Sequence, residues 1–215
     1  MKILDRILDL LFPRRCVFCH RLTQDDADIC MLCRQKLPYT GDASKQSFPG
    51  LTACYSPLYY VDSVRASLLR FKFGGLMHYA ETYGQFLIKC IDENQISCDS
   101  ITWVPVSRRR LRQRGYDQAR LLAEEIAKRK GYICEAMLRK KRHNRAQSTA
   151  GSAEKRRQNV KDVFEILPDA EVRGKTVLLI DDIVTTGATL SECAGVLRRA
   201  GASKVIALTL ARRKE

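Results

Sequence analysis

The sequence predicts an α/β protein: a parallel sheet flanked by helices, preceded by a small cysteine-rich module. Three observations predict it. First, an apolar strand (176–180), a Thr/Gly turn, a helix (190–200) stopped by Gly201, and a second strand (205–210) follow one another in a short span. Strand, helix and strand so spaced imply a right-handed crossover and a parallel pair. Second, Cys16, Cys19, Cys30 and Cys33 crowd into one polar, turn-rich stretch. Third, a linker-like run at 39–51, with Gly41, Asp42, Ser44, Ser47, Pro49 and Gly50, separates that stretch from the rest. The expected division is 1–50 for an N-terminal helix with the cysteine module, and 51–215 for the α/β domain.

The totals agree. A chain of 215 residues suits one medium domain and one small module, the latter too small to bury a sufficient core without a metal or disulfides. Hydrophobic content of 45% and charged content of 29% exclude a disordered or fibrous chain. Lys and Arg number 38 against 24 Asp and Glu, a formal +14 that favours polyanionic partners: nucleic acid, pyrophosphorylated small molecules or an anionic surface. The alternative is a solvated basic face. The first twelve residues interleave Asp5, Arg6 and Asp9 with Ile3, Leu4, Ile7, Leu8 and Leu11 at helical spacing. That is an amphipathic helix rather than an export signal, and no run reaches the length of a membrane span. Nine cysteines, an odd number without an export signal, fit a reducing cytoplasm.

The elements follow in order. An apolar stretch at 53–60 precedes a helical pattern at 63–71, and a second helix, 76–91, follows the Gly74-Gly75 break. Residues 101–106 read as a buried strand. Asp117 can cap a helix carrying Ala119, Leu122, Ile126 and Ala127, ended by Gly131. Residues 133–138 are a short apolar run of ambiguous type. Residues 139–159 are basic and aperiodic and read as a mobile loop, which at that length inside a compact domain is usually functional.

Cys16-Val17-Phe18-Cys19 and Cys30-Met31-Leu32-Cys33 are two C-x-x-C knuckles. Each lets two thiolates converge on one ion, and the pair completes a tetrahedral zinc site, a reading favoured over redox dithiols. Such a closed site leaves no position for a substrate, so its role is structural or partner-binding. Cys54, Cys90, Cys98, Cys134 and Cys193 lack this pairing and read as small buried apolar residues.

The stretch Val177-Leu178-Leu179-Ile180-Asp181-Asp182-Ile183-Val184-Thr185-Thr186-Gly187-Ala188-Thr189-Leu190 joins a buried strand, two carboxylates at its carboxyl end and a Thr/Gly turn opening a helix. Ligands of open α/β sheets bind at that end. Backbone N–H groups and the positive helix end suit a phosphate, Gly187 allows close backbone approach, and Thr185, Thr186 and Thr189 add hydroxyls. Asp181 and Asp182 would repel a phosphate unless they face sugar hydroxyls. The alternative is an acidic helix cap.

This stretch resembles the signature of the type I phosphoribosyltransferases, and the resemblance covers roughly 53–212. With the cysteine module it extends over nearly the whole chain and is similar to the ComF family. Further matching pieces are Leu69-Arg70-Phe71-Lys72-Phe73-Gly74, Val104-Pro105-Val106-Ser107, Arg114-Gly115-Tyr116 and Gln147, Arg156 and Asn159. The resemblance implies a type I phosphoribosyltransferase-like fold binding phosphoribosyl pyrophosphate (PRPP) with Mg2+ at Asp181, Asp182, Thr185, Thr186, Gly187, Ala188 and Thr189. Ser107 and Arg108 would form the pyrophosphate loop, Lys72 would add a contact, and 139–159 would close over the ligand. One departure is that the family usually reads Arg-Gly-Phe-Asn-Gln where this chain has Tyr116 and Asp117, so Asp117 is taken as a helix cap rather than a ligand residue.

Arg108, Arg109, Arg110, Arg112 and Arg114 exceed the two or three cations one pyrophosphate needs, and Arg139, Lys140, Lys141, Arg142 and Arg145 follow. The surplus, with Arg109, Arg110, Arg112, Arg114, Lys140, Lys141 and Arg142 as candidates, would suit a phosphodiester track. Phe71, Phe73 and Tyr116 are candidate faces for base stacking, although packing at a helix end is the favoured reading of the two phenylalanines. The ComF resemblance implies cytoplasmic handling of single-stranded DNA during natural transformation, alongside a ComFA-type helicase. The alternative is a working transferase moving phosphoribosyl from PRPP to an unidentified nucleophile, for which only 53–100 is left to supply a hood, without a base-recognition motif there. A third reading is an adaptor whose zinc module docks a partner.

Overall fold

The computed structural model describes residues 14–23, 27–141 and 163–214. The expected N-terminal amphipathic helix and most of the basic loop, Arg142 included, lie outside the described residues. Among the described residues the strands, in chain order, are β1 Lys45–Gln46, β2 Ala53–Tyr55, β3 Leu58–Tyr59, β4 Ser100–Trp103, β5 Ile133–Cys134, β6 Leu138–Lys140, β7 Phe164–Ile166, β8 Thr176–Val184 and β9 Lys204–Arg212. The α-helices are α1 Met31–Lys36, α2 Asp62–Phe73, α3 Tyr79–Glu93, α4 Arg108–Arg114, α5 Gln118–Lys130 and α6 Ala188–Arg199.

The main sheet has the order β1-β2-β9-β8-β4-β5, with β3 extending the β2 edge along β9. All its pairs are parallel except β1 with β2. The two-residue β1 stands before the boundary expected near residue 50 and joins the sheet by pairing Lys45 with Tyr55 and Gln46 with Cys54. A separate antiparallel ribbon, β6 with β7, frames the stretch 142–162.

From β8 the chain crosses through α6 to β9, on one side of β8. From β4 it crosses through α4 and α5 to β5, on the other side of β4. Neighbouring β4 and β8 are therefore the point where the winding reverses, and their carboxyl ends open a crevice where such sheets take ligands. Side chains alternate across β8. Leu178 and Ile180 pack with α2, α3 and α5, whereas Val177 and Leu179 pack with α6 and the β6–β7 ribbon.

The expected helices form with shifted ends. Asp117 caps α5 by accepting from the N–H groups of Ala119 (3.1 Å) and Arg120 (3.3 Å), and Gly131 closes it in the left-handed conformation at φ 72°. The strand expected at 101–106 is shorter, because Pro105 has no N–H for the ladder; Val104 N–H still donates to Ile180 O at 2.9 Å. Conversely, β8 runs past Ile180 to Val184, since β9 continues alongside to Arg212 and supplies partners for Asp181, Ile183 and Val184. Arg139 and Lys140, read from the sequence as the start of a loop, are strand residues paired with Glu165 and Phe164. Among the described residues no helix is long and apolar enough to cross a membrane.

Candidate functional site

The four cysteine sulfurs lie within 4.8 Å of one another, and those of Cys19 and Cys30 are 3.7 Å apart. Tetrahedral zinc with Zn–S bonds of about 2.3 Å needs sulfurs about 3.8 Å apart, whereas a disulfide needs about 2.05 Å. All four thiols are free, so the cluster fits one closed zinc site. Burial opposes ionisation of Cys16, but hydrogen bonds from the backbone of Cys19, Cys30 and Phe18 outweigh it and pull its thiol down to about 7, favouring the thiolate a metal requires. Val17 and Phe18, between the first two ligands, are buried against α2 and α3, and Phe18 meets Phe86 edge-on at 5.6 Å. Burying one such ring is worth about 1.5–3 kcal/mol, so the module is anchored to the larger unit as well as folded on its metal. Cys54, Cys90 and Cys193 are buried and Cys98 and Cys134 half-buried, as small apolar residues. Burial lifts the thiols of Cys54 and Cys90 to about 12.

At the crevice, Thr185, Thr186, Gly187, Ala188 and Thr189 form the turn into α6 and line a hollow of about 40 Å³ together with Asp181. One water needs about 10–15 Å³ of such space, so the hollow has room for one small group. Gly187 sits at φ +71°, a left-handed conformation that glycine adopts without strain.

The acidic pair is split by strand alternation. Asp182 lies on the α2 and α5 side, where Lys72 Nζ contacts its Oδ2 at 2.7 Å; the two side chains are only 18% and 10% exposed. Asp181 lies on the opposite side, facing Cys54, Cys193 and Lys140. Its carboxylate accepts from the Asp182 N–H at 2.8 Å. Desolvation first, and the Asp182 charge second, push Asp181 well above the ordinary carboxylate range. Lys72, expected on a pyrophosphate, is thus the counter-ion of Asp182.

Ser107 caps α4, its Oγ accepting from Arg110 N–H at 3.3 Å. Asp117 reaches back over the same loop and accepts from Val106 N–H at 3.1 Å. Asp117 is therefore a buried structural acceptor, its pKa raised by desolvation. Beside this loop opens a cleft of about 530 Å³ lined by Ser107, Arg108, Arg109, Arg112, Arg139, Lys140, Lys141 and Glu165. Six cations face one acid there. Glu165 pairs with Arg139 and with Lys141 (3.0 Å), holding the ribbon's cations at the wall. Desolvation and the neighbouring Arg110 charge pull Lys140 below its ordinary value; its ammonium lies 5.3 Å from the Phe164 ring centre.

The structure thus gathers Arg108, Arg109, Arg112, Lys140 and Lys141 into one surface, with the exposed Arg110 beside them. Arg114 departs from the expected track. It is half-buried, donates to Gln118 Oε1 at 2.8 Å and stacks on Phe73 at 5.0 Å. The proposed stacking faces also differ. Tyr116 and Phe71 are buried, and the Tyr116 hydroxyl donates to Phe71 O; only Phe73 is exposed. Sequence reasoning missed Phe48, whose ring lies against Gly187. Its signal was an aromatic set among the Ser, Pro and Gly of the linker's second half. It also missed Glu165, which nothing but the ribbon pairing could reveal.

Residues 114–215 match the family model described as Phosphoribosyl transferase domain, and residues 7–45 match the Double zinc ribbon domain. The chain is 26% identical to Competence protein F of Haemophilus influenzae, over 94% of this chain and 98% of that protein. It is 35% identical to the DNA utilization protein YhgH of Escherichia coli K12, over half of this chain and 46% of that one. Among solved structures, the glutamine PRPP amidotransferase of B. subtilis aligns with 60% of this chain and 25% of that chain, at 26% identity and a TM-score of 0.41.

Proposed function

We infer that this member of the ComF family binds PRPP with Mg2+ at the crevice between β4 and β8 and single-stranded DNA along the adjoining basic cleft, as part of cytoplasmic DNA handling during natural transformation. The observation that supports the reading is a small hollow at the Thr/Gly turn and a larger, cation-lined cleft beside Ser107, both at the carboxyl ends of the neighbouring strands β4 and β8. The hollow at Thr185–Thr189 suits one phosphate, while the cleft beside Ser107 offers more positive charge than one pyrophosphate requires. The names of the two relatives, competence and DNA utilization, support the DNA part. In this reading the turn holds the sugar's phosphate, Asp181 and Asp182 serve the sugar hydroxyls and Mg2+, and Ser107 with Arg108 holds the pyrophosphate. Arg109, Arg110, Arg112, Lys140 and Lys141, with Arg142 beyond the described residues, would carry the polynucleotide. A ComFA-type helicase is the partner this role would require. Residues 1–50 would act as the zinc-bearing unit and 51–215 as the ligand-binding unit.

The test is fluorescence anisotropy of a labelled single-stranded oligonucleotide over a salt series, with and without Mg2+–PRPP. We expect binding whose logarithm falls with log salt by about 0.7 per phosphate contacted, and a slope smaller by about 1.4 in Arg109→Ala/Arg112→Ala. Absence of binding at low salt would remove the DNA reading. PRPP titrated alone tests the other half, and wild-type affinity in Asp181→Asn/Asp182→Asn would remove the sugar-phosphate site.

A second reading, transfer of phosphoribosyl to an unidentified nucleophile, is favoured by the 530 Å³ cleft, which has room for a small acceptor. Release of pyrophosphate in the presence of candidate acceptors would establish it.

A further inference from the structure

Helix α2 carries two cations, two positions apart, that face different sites. Arg70 Nη2 donates to the main-chain oxygens of Val17 (3.1 Å) and Phe18, the two residues between the zinc ligands Cys16 and Cys19. Ser67, nearly one turn earlier, donates to Val17 O as well and shares a hydrogen bond with the Tyr83 hydroxyl. Lys72 meets Asp182 at 2.7 Å. Among the described residues the buried Arg70 Nε has no hydrogen-bond partner, so the guanidinium is held at the knuckle at a polar cost that its two carbonyl contacts offset.

These contacts leave little slack. Val17 and Phe18 are 2% and 0% exposed, and Ser67 and Phe71 of α2 are fully buried. Tyr116, at the mouth of the loop leading to α5, donates to Phe71 O. Two residues of an α-helix rise only about 3 Å and move as one body. A shift of the knuckle that pulls on Arg70 therefore moves Lys72 relative to Asp182.

We propose that Arg70 is a positioning residue that couples the zinc knuckle to the acidic pair through α2, so that zinc affinity and sugar-phosphate affinity are thermodynamically linked. The proposal rests on the reading of the acidic pair as a PRPP site. Linkage requires reciprocity: whatever factor the ordered knuckle adds to PRPP affinity, bound PRPP adds to zinc affinity. A module that merely props up the fold would show such exchange only where loss of zinc unfolds the chain, so the competition is run where circular dichroism shows the zinc-free protein still folded.

The test titrates Mg2+–PRPP calorimetrically into zinc-loaded wild type, Arg70→Met, Arg70→Lys and Lys72→Met. In parallel, a chromophoric chelator competes for zinc with and without saturating Mg2+–PRPP. We expect Arg70→Met to weaken PRPP binding about fivefold or more with its thermal midpoint little changed, and Arg70→Lys, which reaches one carbonyl, to fall between. Saturating PRPP should tighten zinc in wild type by a matching factor and leave zinc in Lys72→Met unaffected. A folded Arg70→Met that binds PRPP like wild type overturns the proposal, as does a wild type that binds PRPP while its zinc affinity stays unchanged. If Arg70→Met does not fold, the wild-type zinc competition decides alone. A wild type that binds no PRPP instead overturns the site reading itself, and the coupling with it.

Discussion

The ring of Phe48, from the segment between β1 and β2, lies so close to Gly187 that a methyl group at that position would overlap the ring's Cδ1–Cε1 edge. Gly187 is also left-handed, at φ +71°. Two separate constraints therefore exclude a side chain from the turn that opens α6. We expect Gly187→Ala to destabilise the protein by about 2–4 kcal/mol, of which about 1–2 is backbone strain and the rest overpacking. In a Phe48→Ala background the same change should cost only the backbone part. Urea unfolding of the four proteins gives the cycle, and equal costs in both backgrounds would contradict the contact.

The two carboxylates should respond oppositely to neutralisation. Asp181 is raised above its ordinary value of 3.8, so its ionisation is penalised in the folded state. The folded protein is then relatively more stable at low pH and loses that advantage as pH rises through the folded pKa. Asp181→Asn should remove the loss, giving a more stable protein near neutrality and no gain below pH about 4. Asp182→Asn leaves the largely buried Lys72 without its counter-ion and should cost about 1–3 kcal/mol. Urea midpoints measured across pH compare the two.

Asp117 divides its oxygens between two tasks. Oδ1 caps α5 through Ala119 and Arg120, and Oδ2 accepts from Val106 in the loop before Ser107. Asparagine can keep the cap but has only an amide N–H to offer Val106. Asp117→Asn should therefore cost little more than the one hydrogen bond, about 0.5–1.5 kcal/mol, while loosening anion binding at Ser107 and Arg108. Asp117→Ala should lose the cap as well, a further 0.5–2 kcal/mol or about that. Thermal melts and pyrophosphate titrations distinguish the two effects.

Metal analysis of reduced, folded protein should return about one zinc per chain. Because Val17 and Phe18 share a core with α2 and α3, chelation should lower the melting temperature of the whole chain. A separate low-temperature transition confined to the module would show that this packing contributes little.

Much of this was legible in the sequence because it is written in local chemistry. Paired C-x-x-C knuckles, Asp117 before a helical stripe, Gly131 after it, and the run 176–190 each state their structure within a few residues, since metal ligation, capping and turn formation act over that range. The α/β class and the position of the Thr/Gly turn before α6 followed. The tertiary structure alone decided which cations share a surface. Arg112 and Arg114 are near neighbours in sequence, yet one lines the cleft and the other is half-buried against Phe73 and Gln118. It alone decided that Asp181 and Asp182 face opposite sides, because β8 continues beside β9 past Ile180 and consecutive strand residues point to opposite faces. It alone brought Phe48 to Gly187, Glu165 to Arg139, and Arg70 to the zinc knuckle, contacts between residues far apart in the chain that no local pattern encodes.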